Sequence, residues 1–308
     1  MSDRQFKQRT RRSGSQNAVL LAITSMLVGG FAGSLLHVGV RTVGPYLPTI
    51  EIAFLRTFFT ALVALPFVLR PGLSGWRSSR FGLHLIRGII GVVSICFWYY
   101  ALSVIPLADA ATLSFTTIIF VTIGAAVWFK ERVGIYRWSA VAVGLIGTLI
   151  VLRPGAGVVT IAALSAVIGN VLWAISLLIA KELAKTDSSA TIVFWQPLVI
   201  LPFAFIGSVP VWVWPEPWVW GAVAGMGLMA LIGNWGVINA MKLADVSIVM
   251  PVDYIRLIWM AGWGYFFFQE LPDAATWTGA ALIVASTLFI TWREQQLAAR
   301  REREGRRA

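Results

Sequence analysis

Ten apolar runs, each about as long as a bilayer's hydrocarbon core is thick, leave this chain few ways to fold. They fall at 18–40, 49–69, 82–102, 106–129, 135–152, 158–180, 190–209, 217–240, 245–268 and 274–292. In hydrocarbon the backbone must satisfy its own hydrogen bonds, and about twenty apolar residues per run suit helices, not barrel strands. The links are short and carry Gly, Pro or Ser, as at Gly44-Pro45, Pro71-Gly72 and Leu271-Pro272. No soluble domain fits between two runs. Composition agrees: 58% hydrophobic and 13% charged, where soluble domains average about 45–50% and 25%. The one cysteine, Cys96, excludes an intrachain disulfide and a cysteine metal site. The expected fold class is an all-α membrane protein of ten transmembrane helices.

Lysine and arginine set the expected orientation. With the N-terminus in the cytoplasm, 21 of the 25 basic residues fall on that side. Arg70, Arg77, Arg80 and Arg87 are counted there together, in one inside segment. Arg41 and Arg153 lie on the other side, and Arg56 and Arg256 inside runs. Both termini are then cytoplasmic, and the protein is a multi-pass component of the cytoplasmic (inner) membrane. The basic tails, 1–17 and 293–308, read as topology and anionic-lipid signals. The net charge of +11 is therefore a membrane pattern; lipids, not nucleic acid, are the expected partners.

The chain repeats itself. A shift of 139 residues brings Ala101 onto Ala240, Ile119 onto Ile258, Glu131 onto Glu270 and Trp138 onto Trp277. In both halves an aromatic-ended run stops at Phe-Lys-Glu or Phe-Gln-Glu, and a Trp follows seven residues after the Glu. Residues 18–152 and 158–292 each hold five runs, so the second half enters the membrane from the opposite side. Two inverted five-helix repeats place a binding site near the midplane, between the halves.

The pattern resembles the drug/metabolite transporter superfamily, and most closely the EamA-type permeases. Phe54-Leu55-Arg56, Ala101-Leu102 followed by Pro106-Leu107-Ala108, and Glu131 carry the likeness. The second half departs from it, with Lys242-Leu243-Ala244-Asp245 in place of the Pro-Leu-Ala element. The resemblance implies a permease for small metabolites that opens alternately to each side. The arginines from Arg70 to Arg87 and the Arg137-Trp138 pair are similar to the branch assigned S-adenosylmethionine-like or riboflavin-like cargo.

Charge inside a run costs roughly 2.5–3.5 kcal/mol on insertion scales and marks candidate function. Arg56 is one such residue; Asp253 and Arg256, three apart and so on one helix face, are two more. At about 1.5 Å per residue the two arginines reach similar depths. Together the three charges sum to +1, which suits an anionic or zwitterionic solute such as an amino-acid-like metabolite. An Arg–Asp pair that only locks helices is the other reading. Further candidate contacts are Tyr254, Gln196, Trp173, Asn234 and Trp98, with Gln196-Pro197 as a possible helix break. Asp253 and His37 are the proton-coupling candidates. No catalytic residue, metal site or cofactor is expected, and monomer and homodimer both stay open. A membrane-embedded enzyme or a helix scaffold without transport is the alternative function.

Overall fold

The computed structural model describes residues 3–69, 78, 80–128, 135–152, 158–183, 185–187, 189–243 and 252–305. Every regular element among them is helical: α1 (Asp3–Val43), α2 (Thr49–Leu69), α3 (Phe81–Val104), α4 (Leu107–Ser114), α5 (Thr116–Trp128), α6 (Ile135–Leu152), α7 (Val158–Leu183), α8 (Ser189–Ser208), α9 (Pro217–Leu243), α10 (Ile255–Phe268) and α11 (Ala274–Gly305). A 3₁₀ turn, Val209–Val211, follows α8. Stretches of α1, α3, α7 and α9 are each long and apolar enough to cross a bilayer by length and composition. Others are shorter or interrupted by charge, as α2 is by Glu51 and Arg56. Large apolar side chains such as Leu149, Ile161, Ile206, Ile258 and Phe266 stand exposed on the outside of the bundle. Water does not tolerate that surface at this extent; lipid does.

Packing follows the repeat. Helix α1 packs chiefly on α9 and α3 chiefly on α7, while α2 meets α8 and α6 meets α11. Under the shift of 139 the first two pairs exchange and the last two map onto themselves. The fold is two inverted five-helix repeats. The α1–α9 seam needs glycine: a Cβ on Gly236 would lie 2.5 Å from the Ser25 carbonyl oxygen and 2.7 Å from Gly29 Cα. Small residues here let two backbones approach where no hydrophobic force drives helices together.

Helix α4 lies at the centre, with Leu107 to Leu113 buried all round. The run at 106–129 was expected as one helix. Instead the α-helical pattern lapses at Phe115, whose N–H bonds the Thr112 carbonyl three residues back. The lapse recurs 139 residues later at Tyr254, whose carbonyl accepts the Leu257 N–H three residues on. The two rings meet edge to face at 4.8 Å. Local 3₁₀ tightening inside a helix often marks a hinge or a functional site. Pro251, which could free backbone carbonyls in the ninth run, lies outside the described residues. Helix α8, by contrast, continues through both Pro197 and Pro202, so the break expected at Gln196-Pro197 does not form.

Candidate functional site

The two lapses put helix ends face to face. Asp253 precedes the first turn of α10, where carboxylates are favoured, and Arg256 reaches the C-terminal end of α4, where cations are. Its Nη2 lies 3.1 Å from Asp253 Oδ2 and donates to Ser114 Oγ at 3.2 Å. Its guanidinium stands 5.6 Å from the centre of the Phe115 ring. Ser114 and Asp253 are themselves equivalent under the repeat. Arg256 thus bridges one half of the chain to its counterpart in the other.

Arg56 approaches from α2. Its guanidinium lies 5.9 Å from the centre of the Tyr99 ring, and Nη2 donates to Thr57 Oγ1 at 3.2 Å. No carboxylate pairs with it among the described residues. Tyr99 follows Trp98, which bonds His37 of α1, and Gly30 on the His37 face of α1 looks onto Arg256, so both guanidiniums share one region with His37. His37 Nε2 accepts the Trp98 indole N–H at 3.3 Å. Gly30, two turns back along α1, faces Asp253 and Arg256 at 3.9 Å from its would-be Cβ. Gly33, between Gly30 and His37 on the same face, would direct a Cβ into open space. Among the described residues, Arg56 Nε, Arg256 Nε and His37 Nδ1 are buried here without a hydrogen-bond partner. Buried N–H groups left unmet are costly, and in a native protein they call for an explanation.

Of the residues singled out in the sequence, Arg56, Asp253, Tyr254, Arg256, His37 and Trp98 gather in this region. Trp173 is half-buried on α7, one turn from Asn170, whose side-chain amide reaches the Leu113 carbonyl at 2.7 Å beside the first lapse. Gln196 is held elsewhere, accepting a 2.8 Å hydrogen bond from Arg87 Nη2. Asn234 was expected to be buried but is exposed. Gly233 and Gly236 face α1, which turns Asn234 and Trp235 to the far side of α9.

Arg87 itself corrects the charge count. It sits within α3, only 5% exposed, and also donates to the Ile192 carbonyl at 2.9 Å. Two more buried acids had no part in the sequence reading of the site. Asp109, in α4, accepts from the Thr276 hydroxyl. Asp187, between α7 and α8, meets His84 Nε2 at 2.8 Å. Burial works against its charge, but hydrogen bonds from Ser78, His84 and Thr186 win and hold its carboxyl below the usual range.

One end of the bundle is latched. Glu270 follows the end of α10 and serves the start of another helix, α4. Gln269 caps α10 in the left-handed region at φ 56°. The Glu270 N–H then returns to the Gly264 carbonyl at 3.0 Å, and Oε2 accepts the Leu107 N–H of α4 at 2.9 Å. Oε1 pairs with Arg41 of α1, which also donates to the Leu102 and Ile105 carbonyls. Burial holds the Glu270 carboxyl above its ordinary range, against the Leu107 amide and Arg41, while Asp109 adds to the rise. Glu131, its repeat partner, lies outside the described residues.

With this geometry in view, likenesses to known proteins carry weight. The EamA-like transporter family matches the chain twice, over residues 16–153 and 160–292. A riboflavin transporter of Vibrio cholerae is 34% identical over 261 residues, 83% of this chain and 87% of the relative. One of Rhizobium johnstonii is 32% identical over 291 residues, 91% and 92% of the two chains. An S-adenosylmethionine uptake transporter of Rickettsia bellii is 28% identical, covering 83% of this chain and 88% of the relative. A solved crystal structure, 20% identical, superposes with a TM-score of 0.62 over 89% of this chain and 96% of the other, and so shares the fold. The doubled match coincides with the two halves of the bundle. The chain belongs to the EamA-like transporter family and is a transporter of small metabolites.

Proposed function

We propose that the protein is a secondary transporter of the cytoplasmic membrane that carries a flat, acceptor-rich metabolite of the riboflavin type by alternating access. The carrying observation is that Arg56, His37 and Arg256, from both halves of the repeat, share one region with open space beside Gly33. The cargo lies there, with the guanidiniums as donors and Phe115, Tyr254, Tyr99 and Trp98 as flat apolar walls. Asp253 answers a positive group on the cargo or a coupling proton. Arg56, Asp253 and Arg256 sum to +1, which favours a neutral or anionic cargo over a sulfonium cation.

Both termini lie in the cytoplasm, so the Arg41–Glu270 latch closes the outer end. The cycle breaks that latch and forms its counterpart at the inner end. Counterflow in proteoliposomes tests the reading. Preloaded riboflavin should drive entry of labelled riboflavin, and S-adenosylmethionine should compete weakly. Absence of counterflow with both compounds would reject this cargo class, and an enzyme or scaffold would show none with any solute.

A further inference from the structure

His37 is 8% exposed and shares the α1 face that carries Gly30 and Gly33. An indole nitrogen only donates. The 3.3 Å bond from Trp98 Nε1 therefore fixes His37 Nε2 as the acceptor, and the ring's single proton sits on Nδ1. That Nδ1 is buried and has no partner among the described residues. Arg56 of α2 and Arg256 of α10 both bear on the ring. Asp253 is engaged with Arg256, and from α3 come Trp98 and the Tyr99 ring under Arg56. A second proton would break the Trp98 bond and set a third cation beside two guanidiniums.

We infer that His37 binds the cargo as a neutral hydrogen-bond donor through Nδ1–H, and does not carry a coupling proton. The inference rests on the transport reading above and narrows its cargo. The acceptor it meets is a carbonyl oxygen or an unprotonated ring nitrogen. An ammonium or a sulfonium has nothing to offer it. The orphaned Nε groups of Arg56 and Arg256 add two more donors to the same region. In place of water, a ligand rich in lone pairs satisfies all three, and a cargo that lacks them leaves buried N–H groups unmet.

Nitrogen-15 histidine labelling in lipid bilayers reads the ring directly, because the chain has two histidines and a His37→Asn variant identifies which signal is which. From about pH 5.5 to 8, the interval where free imidazole titrates, His37 should stay neutral with the proton on Nδ1. Added riboflavin should shift that resonance. An imidazolium near pH 6, or a proton on Nε2, overturns the inference. Riboflavin binding, followed by quenching of flavin fluorescence, should weaken about tenfold or more in His37→Phe. His37→Asn, which keeps an N–H near the same place, should recover most of it. In His37→Phe, counterflow and driven uptake should fall together. Counterflow retained while driven uptake is lost would mark a proton carrier and overturn the inference. If His37→Phe does not fold, the tautomer in the native protein decides. Should the native protein bind neither riboflavin nor S-adenosylmethionine, the cargo reading fails, and the tautomer is still read without ligand.

Discussion

Among the described residues Arg56 has a ring and a hydroxyl for company but no carboxylate, and Arg256 has Asp253. The two should therefore respond differently to neutralisation. Arg56→Gln removes an unpaired guanidinium and should leave folding nearly unchanged while riboflavin binding weakens about 10–150-fold, the worth of a charged hydrogen bond of about 1.5–3 kcal/mol. Arg256→Gln should weaken binding comparably and also lower the thermal midpoint in detergent, since Asp253 stays behind without its cation. Titration calorimetry and a melting scan check both. These two arginines were legible in the sequence because charge is loud in an apolar run. Arg87 was equally loud but was counted in an inside segment, since it stands only six residues inside α3. Ser114 and Phe115 were silent by composition. The shift of 139 residues, carried down to single positions, would have found them opposite Asp253 and Tyr254.

Among the elements, α1 has one glycine-lined seam and one glycine-lined opening, and they should behave oppositely. Gly236→Ala forces a methyl against the Ser25 carbonyl and Gly29; overpacking of this kind costs about 1–3 kcal/mol. Gly33→Ala meets nothing within 4 Å and should leave the melting temperature unchanged while it intrudes on the cargo's space and weakens uptake. The apolar runs, the repeat and the short links were all readable from apolar periodicity. The lapse at Phe115 was not, because Ser-Phe-Thr carries no proline or glycine to announce it. The supposed break at Pro197 shows the converse: α8 keeps its course through two prolines, as membrane helices do when neighbours and local adjustment meet the freed carbonyls.

At the scale of the molecule, the latch gives the protein a response to acid whose sign can be worked out. Burial holds the Glu270 carboxyl above its ordinary range in the latched state, so that state binds a proton more tightly than one in which the carboxyl is solvated. Lowering the pH should therefore favour the latched state, and raising it should favour opening. Ser34 of α1 is buried and accepts the Trp263 indole N–H at 2.9 Å, so Ser34→Cys in a Cys96→Ala background reports the balance: labelling by an impermeant maleimide from the Arg41 side should slow as pH falls from about 7.5 to 5.5. Labelling that quickens over the same interval would reverse the sign. The sequence carried the orientation of the halves but not this latch, since Arg41 and Glu270 stand 229 positions apart in the chain and meet only after the two halves have packed.

The ring pair Phe115–Tyr254 has one more consequence. Since each residue is the other's image, a see-saw that trades the roles of the two halves would carry that pair onto itself. It can serve as a fulcrum, the same touch in either posture, while everything farther out rearranges. Tethering positions 115 and 254 with a short crosslinker should thus spare turnover, whereas a tether of equal length from 41 to 270 should arrest it.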